Sequence, residues 1–355
     1  MNREMIMKIP NIRAAFFGFL LISGNIWAAP SFNALYVFGD SLSDAGSSDS
    51  AVISLYKLLG NNCDPTHECG LLGPYFHGRI SNGPVASEQL AAALFPGGAT
   101  PMNFRSYAVA GANTGDSNSG FDLFGTITLP GMKQEVADYL SDSKGVADPN
   151  ALYFLWGGAN DYFSGDPAAT AAQNVAGYVS TLASAGARHF LVPNLPDLSL
   201  TPDQDHNPQA QAFSLAFNSG LATQLGNVHA QFPGIDIFSF DTYSFFNGVI
   251  QDPAKFGFTN VQSPCVSLGD IFPCGNPDGH VFWDSVHPTT RADSFIAAAF
   301  ASAVPEPEVI SMFIAGLIVL GFAGGKGRRR RKPGHARVSN GPRAAAYLQV
   351  NHKSA

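Results

Sequence analysis

Serine, histidine and aspartate occur in this 355-residue sequence at spacings that could perform nucleophilic chemistry. A serine hydroxyl is barely nucleophilic at neutral pH. It needs an imidazole to take its proton and a carboxylate to orient that imidazole. An aspartate three residues before a histidine, within one short turn, can supply the pair. D-x-x-H occurs three times, at Asp64/His67, Asp203/His206 and Asp284/His287. The serine in the most suggestive surroundings is Ser41, which ends the stretch ALYVFGDS from Ala34. An apolar, β-prone run entering a small-residue turn places Ser41 at the carboxyl end of a strand, where ligands bind in open α/β sheets. A serine beginning a helix also serves as an N-cap, so the local spacing leaves both readings open.

Further β-prone runs lie at Ala34–Phe38, Phe104–Val109, Ala151–Trp156, His189–Val192 and Ile235–Phe240. Helix-like segments separate them at Val85–Phe95, Met132–Ser141, Ala168–Ala185 and Ala210–Gln231, with a last one at Arg291–Ala303. Strand–helix alternation predicts a parallel sheet covered on both faces, in one α/β domain. Two long insertions, Ser43–Ser81 and Gly111–Pro130, are expected to overhang the site.

The composition, 45% hydrophobic and 13% charged, suits a chain with a sizeable core. Between Ser31 and Glu308 eight Lys/Arg face 26 Asp/Glu, a net charge of about −18. Such a surface repels phosphate backbones and excludes nucleic acid as a partner. The four cysteines fit an oxidising compartment, and Cys63/Cys69 and Cys265/Cys274 are the simplest of three possible pairings. A zinc site built on Cys63, His67 and Cys69 lacks a nearby CxxC or second histidine, so disulfides are preferred.

Four blocks, taken in order, resemble the GDSL/SGNH hydrolases. FGDSLSD at Phe38–Asp44 is similar to the first block, which holds the family's serine. SYAVAGAN at Ser106–Asn113 is similar to the second, whose glycine lends a backbone N–H. LWGGAND at Leu155–Asp161 contains the G-x-N-D of the third, and WDSVHPT at Trp283–Thr289 matches the final D-x-x-H. GRISNGP at Gly78–Pro84 and VPNLPD at Val192–Asp197 further resemble the bacterial phospholipase/lecithinase/hemolysin-like branch. The resemblance implies a three-layer α/β/α sandwich with a five-stranded parallel, flavodoxin-like sheet. It implies hydrolysis of carboxylic esters, lipid or short acyl, with no metal or cofactor.

Residue by residue, Ser41 is the expected nucleophile, with Asp284 and His287 as its activating pair. Only that D-x-x-H follows the fifth strand and precedes the terminal helix, where the family keeps it. The other two histidines are expected to be exposed loop residues. The N–H groups of Ser41 and Gly111 and the side-chain amide of Asn160 are the expected oxyanion donors. Ala110 stands where many relatives carry a second glycine, so the donor could be displaced by one residue, and Gly115 is a further candidate. Asp40 and Asp161 are expected to be structural partners.

Both ends carry processing patterns. Lys8 and Arg13, the apolar run Ala14–Ile22 and the small residues up to Ala28 form a signal peptide over residues 1–28, to be removed by signal peptidase. Near the other end, Val304-Pro-Glu-Pro307, the apolar run Val309–Ala323 and the cluster Lys326–Lys332 resemble a PEP-CTERM sorting signal over residues 304–332. That resemblance implies a Gram-negative source, transient inner-membrane retention on a short transmembrane helix, and cleavage by an exosortase-like enzyme. The product would be secreted or held at the cell surface. Residues 29–303 would form the hydrolase domain, and residues 333–355 show no core pattern and read as a disordered tail. Rival readings are a polysaccharide O-deacetylase, an acyltransferase with the same triad, and a non-catalytic surface or matrix protein.

Overall fold

The computed structural model describes residues 31–46, 48–51, 75–120, 129–267 and 273–304. All of them fall within the first of two compact units, Met1–Pro307. The leader, the Cys63–Cys69 region with Asp64 and His67, and everything after Val304 lie outside the described residues.

Five parallel strands form one sheet: β1 (Leu35–Gly39), β2 (Phe104–Ser106), β3 (Leu152–Trp156), β4 (His189–Pro193) and β5 (Asp236–Phe240). Their spatial order is β2-β1-β3-β4-β5, the flavodoxin-like arrangement. Side chains alternate across a strand, so each central strand feeds two cores. Leu35, Val37, Leu152, Phe154 and Trp156 pack on one face with Leu90 of α1 (Ala86–Leu94). In chain order α2 (Met132–Asp142) precedes β3 and α3 (Ala159–Ser164) follows it. Phe38, Tyr153 and Leu155 pack on the opposite face with Val136 and Tyr139 of α2, Val179 of α4 (Ala168–Ser184) and Phe217 of α5 (Pro208–Gln231). The first face is completed by Ile296 and Phe300 of α7 (Thr290–Ala303), after α6 (Thr242–Gln251). Helices on both faces make the expected three layers. Phe300 is fully buried against Phe154, Trp156 and Phe240, and its truncation to alanine would cost about 3–5 kcal/mol.

The sheet order creates a switch point. The chain leaves β1 toward β2 on one side and reaches β3 on the other, so a crevice opens at the carboxyl ends of β1 and β3. Close approach of these two ends needs Gly39, because a Cβ there would lie 2.1 Å from the Trp156 carbonyl oxygen.

One expected boundary is corrected, and two helices are added to the expected set. β2 ends at Ser106 instead of Val109. Continuing the ladder would direct the Gly39 N–H to the Tyr107 carbonyl. That N–H instead donates to Glu135 Oε2 at 2.8 Å, and the Tyr107 carbonyl accepts the Ser48 hydroxyl at 2.9 Å. α3 was hidden because six residues are too few to display a helical period. α6 directly follows β5 with Asp241 as its N-cap, accepting from the Ser244 N–H at 3.1 Å. Among the described residues no helix is long and apolar enough to cross a membrane, and the run 309–323 is not one of those residues.

Candidate active site

The turn after β1 is built by its own side chain. Asp40 Oδ1 accepts the Leu42 N–H at 3.0 Å, and the Asp40 carbonyl accepts the N–H groups of Ser43 and Asp44. This closes a tight turn that presents Ser41 at the end of the sheet. Burial pushes the Asp40 carboxyl up to about 6, against the Leu42 N–H and the neighbouring His287, which lower it.

The last D-x-x-H forms a second tight turn, before α7. Trp283 N–H donates to the His287 carbonyl at 2.7 Å, Phe282 and Pro288 form an antiparallel bridge, and Thr289 caps α7. Within it Asp284 Oδ1 accepts the N–H groups of Val286 and His287 at 2.9 and 2.8 Å. His287 Nδ1 lies 2.9 Å from both Asp284 oxygens, and His287 Nε2 lies 2.7 Å from Ser41 Oγ. The two turns are 246 residues apart in sequence and meet in one hydrogen-bonded series. Burial opposes the charge on Asp284, but the adjacent imidazole and its donors hold the carboxyl down at about 2. Burial likewise lowers His287, yet Asp284, and then Asp40, outweigh it and raise its pKa above the ordinary histidine value.

Gly111 follows β2 in a left-handed conformation with φ +83°, and a Cβ there would lie 2.4 Å from Asn118 Oδ1. Its carbonyl is held by the N–H and hydroxyl of Ser119, at 2.7 and 3.0 Å. The Ala110 N–H is committed to Asp44 Oδ2 at 3.0 Å. Among the described residues the N–H groups of Ser41 and Gly111 have no acceptor. Of the neighbouring candidates Ala110 and Gly111, only Gly111 therefore has its N–H available. Gly115 lies elsewhere, lining a separate hollow with Lys133 and Tyr178. Asn160, near the start of α3, donates one amide hydrogen to the Ala112 carbonyl at 3.0 Å and keeps the other. Asp161 beside it is buried and accepts the Thr114 N–H and hydroxyl at 2.9 and 2.6 Å, tying α3 to the Gly111 loop.

Ser41, Asn160 and His287 open onto a cleft of about 420 Å³. Trp156, Phe163, Leu198, Phe246, Phe282 and Ile296 give it a largely apolar wall. Asp203 also lines it, and its N–H donates to the Ser285 carbonyl at 2.9 Å, whereas His206 is exposed. The second D-x-x-H therefore borders the site through its aspartate without assembling a pair.

Three contributors carried no chemical signal in the sequence. Glu135 of α2 is fully buried and accepts from Gly39 and, at 3.2 Å, from Val109, coupling the two loops that bear Ser41 and Gly111. Ser119 holds Gly111 from inside the cleft. Tyr75 donates its hydroxyl to Asp284 Oδ2 at 2.8 Å. Cys265 and Cys274 form a disulfide whose loop lies along this turn, with Cys265 and Val266 donating to the carbonyls of Phe282 and Trp283. His280 lies close to both sulfurs, but a disulfide offers no thiolate to a metal.

A five-stranded, three-layer sheet with a Ser–His–Asp series at its switch point has the architecture of the SGNH-type hydrolases. Residues 35–300 match the family model described as GDSL-like lipase/acylhydrolase, and the chain belongs to that family of carboxylic ester hydrolases. It is 28% identical to an uncharacterized protein of Pseudomonas putida, over 82% of this chain and 52% of that protein, so it spans about half the length of that relative. It is 26% identical to a GDSL esterase/lipase of Arabidopsis thaliana, over 78% of this chain and 92% of the relative. With a phosphatidylcholine-sterol acyltransferase of Aeromonas hydrophila it shares 28% identity, over 74% and 87% of the two chains.

Proposed function

We propose that the chain hydrolyses lipid or short acyl esters through an acyl-enzyme on Ser41. The hydrogen-bonded series Ser41–His287–Asp284, opening on an apolar cleft, carries this reading. His287 Nε2 takes the Ser41 proton as Oγ attacks the ester carbonyl, and Asp284 holds the imidazole and stabilises its cationic form. The oxyanion accepts from the N–H groups of Ser41 and Gly111 and from the free Asn160 amide hydrogen. Collapse returns the proton through His287 to the departing alkoxide, leaving the acyl group on Ser41. Water, deprotonated by the same imidazole, then releases the carboxylic acid and restores the hydroxyl.

The apolar wall favours an acyl chain, as does the resemblance to the lipolytic branch. The Aeromonas relative, named for an acyl transfer, supports a second reading in which an alcohol other than water accepts the acyl group. The tripartite ends support an exported enzyme that is retained briefly in the inner membrane and then released or surface-held, with a mature chain of about residues 29–303. Loss of the basic end would take the formal charge from −7 to about −16. The intact mass of protein recovered outside native cells checks this. Most molecules retaining Lys326–Lys332 would reject the sorting reading.

Turnover of short p-nitrophenyl esters, with Ser41→Ala as control, tests the chemistry. The wild-type protein should hydrolyse the esters and react with a serine-directed phosphonate, and folded Ser41→Ala should do neither. Wild-type turnover in that variant would remove Ser41 from the mechanism. Lecithin and acetylated xylan then separate lipid from polysaccharide esters.

A further inference from the structure

Asp284 has one partner that neither the D-x-x-H spacing nor the proposed reaction requires. Its Oδ1 is taken up by the Val286 and His287 N–H groups of its own turn. Its Oδ2 faces outward from that turn and accepts the Tyr75 hydroxyl at 2.8 Å, across 209 residues of sequence. The tyrosine is held from both sides. Its ring packs on Cys265, Val266 and Trp283, the last of which is fully buried immediately before Asp284. The segment that follows grips the far end of the same loop, where the Ser81 hydroxyl donates to the Pro288 carbonyl at 3.0 Å and Asn82 Oδ1 accepts the Thr290 N–H at 2.8 Å. Arg79 anchors the segment to α1 through two contacts with Glu88, at 2.6 and 3.0 Å.

We propose that Tyr75 is a positioning residue of the reaction, one that fixes the rotation of the Asp284 carboxylate and limits how much of its charge reaches His287. The proposal rests on the Ser41–His287–Asp284 reading. A carboxylate pinned at one oxygen can still swing its other oxygen away from the imidazole. The Tyr75 hydroxyl bonds that second oxygen and holds both at 2.9 Å from Nδ1. Donation to Oδ2 also draws negative charge from the imidazole, so the hydroxyl opposes the rise in the His287 pKa that Asp284 and Asp40 produce. Among the described residues the other titratable groups beside these turns are Asp40, Asp293, which lies 3.4 Å from the Ser81 hydroxyl, His280, whose carbonyl accepts the Thr289 hydroxyl, and Asp203, exposed in the cleft.

Tyr75→Phe deletes one oxygen and keeps the ring against Trp283. The variant should stay folded, with a thermal midpoint within about 6 °C of wild type, and keep the wild-type KM while kcat falls about ten-fold, the scale of one lost hydrogen bond to a charged group. The acid limb of its pH–rate profile should move to higher pH, because the unrelieved carboxylate makes His287 more basic. In an Asp284→Ala background Tyr75→Phe should have no further effect, since the group it acts through is gone. An unfolded Tyr75→Phe protein, a wild-type kcat, or a lower kcat with an unmoved acid limb would each overturn the positioning role. Asp284→Ala tests the underlying reading separately. Wild-type turnover there would overturn the triad and the positioning role together, whereas an inactive Asp284→Ala beside a fully active Tyr75→Phe would overturn the positioning role alone.

Discussion

Glu135→Ala should damage both the fold and the reaction, by an amount the structure allows to be worked out. The side chain is fully buried and accepts two backbone N–H groups, Gly39 at 2.8 Å and Val109 at 3.2 Å. Burial pushes its pKa well above the ordinary glutamate value, with the Asp40 and Asp44 carboxylates adding to the rise and the two N–H donors opposing it. Truncation leaves the Gly39 N–H buried without an acceptor, at about 1–3 kcal/mol, takes one of two acceptors from the Val109 N–H, which keeps the Gly39 carbonyl at 3.1 Å, and opens a cavity. Relief of a costly buried carboxyl offsets part of this, so the net loss should be about 2–4 kcal/mol. A domain of this size loses about 2–4 °C per kcal/mol, which gives a fall in Tm of roughly 10 °C. Glu135→Gln keeps one carbonyl acceptor but turns an NH₂ toward the other donor, and should cost about half as much. Because Gly39 and Val109 each stand two residues before Ser41 and Gly111, the folded Ala variant should also lose about ten-fold in kcat on a p-nitrophenyl ester. Calorimetry and initial rates on the same preparations provide the test. A Glu135→Ala protein with a Tm within 2 °C of wild type, the scale of under ~1 kcal/mol, and an unchanged kcat would show that the two strand ends hold themselves without the Glu135 carboxyl.

Three further outcomes follow from the site. His287→Ala should lower kcat by several orders of magnitude, while His206→Ala, on an exposed side chain, should stay within a few-fold, and an equal loss at both would misplace the catalytic turn. Because the His287 pKa is raised above ~6.5 and the base must be neutral, kcat/KM should fall as pH drops through a value above 6.5. A profile flat down to pH 5 would exclude this imidazole as the base. Replacing Cys265 and Cys274 together by serine opens a loop with a sequence separation of 9, worth about 2.5–3 kcal/mol by chain entropy. It should also slow turnover, since that loop hydrogen-bonds to Phe282 and Trp283, and a double variant with wild-type stability and rate would show that the disulfide supports neither.

The strands and long helices were legible because their patterning is local. Alternation and apolar runs mark β1, β3 and β4, and α1, α2, α4, α5 and α7 complete enough turns to show an apolar face, whereas α6, ten residues long, follows β5 directly and its apolar residues read on from the strand. Boundaries failed where a distant side chain decided them. β2 stops early because Glu135 takes the Gly39 N–H, and nothing in Phe104–Val109 announces an acceptor 26 residues beyond Val109. The four motif blocks were legible for a different reason: each carries its chemistry within a few consecutive residues. Asp284 and His287 share one turn, and Asp40 folds its own loop around Ser41.

By itself the sequence determined the class of sheet, the blocks from which the site is assembled and the acidic surface, since all of these depend on residue type and short-range spacing. Tertiary structure alone decided which groups serve those blocks. It joined Ser41 to a histidine 246 residues away, committed the Ala110 N–H to Asp44 while leaving that of Gly111, and brought Tyr75 to Asp284 and Glu135 to the strand end before Ser41. A hydrogen bond between distant segments depends on where the packed sheet and helices carry two backbones, and an isolated tyrosine or glutamate has no spacing by which that destination can be read.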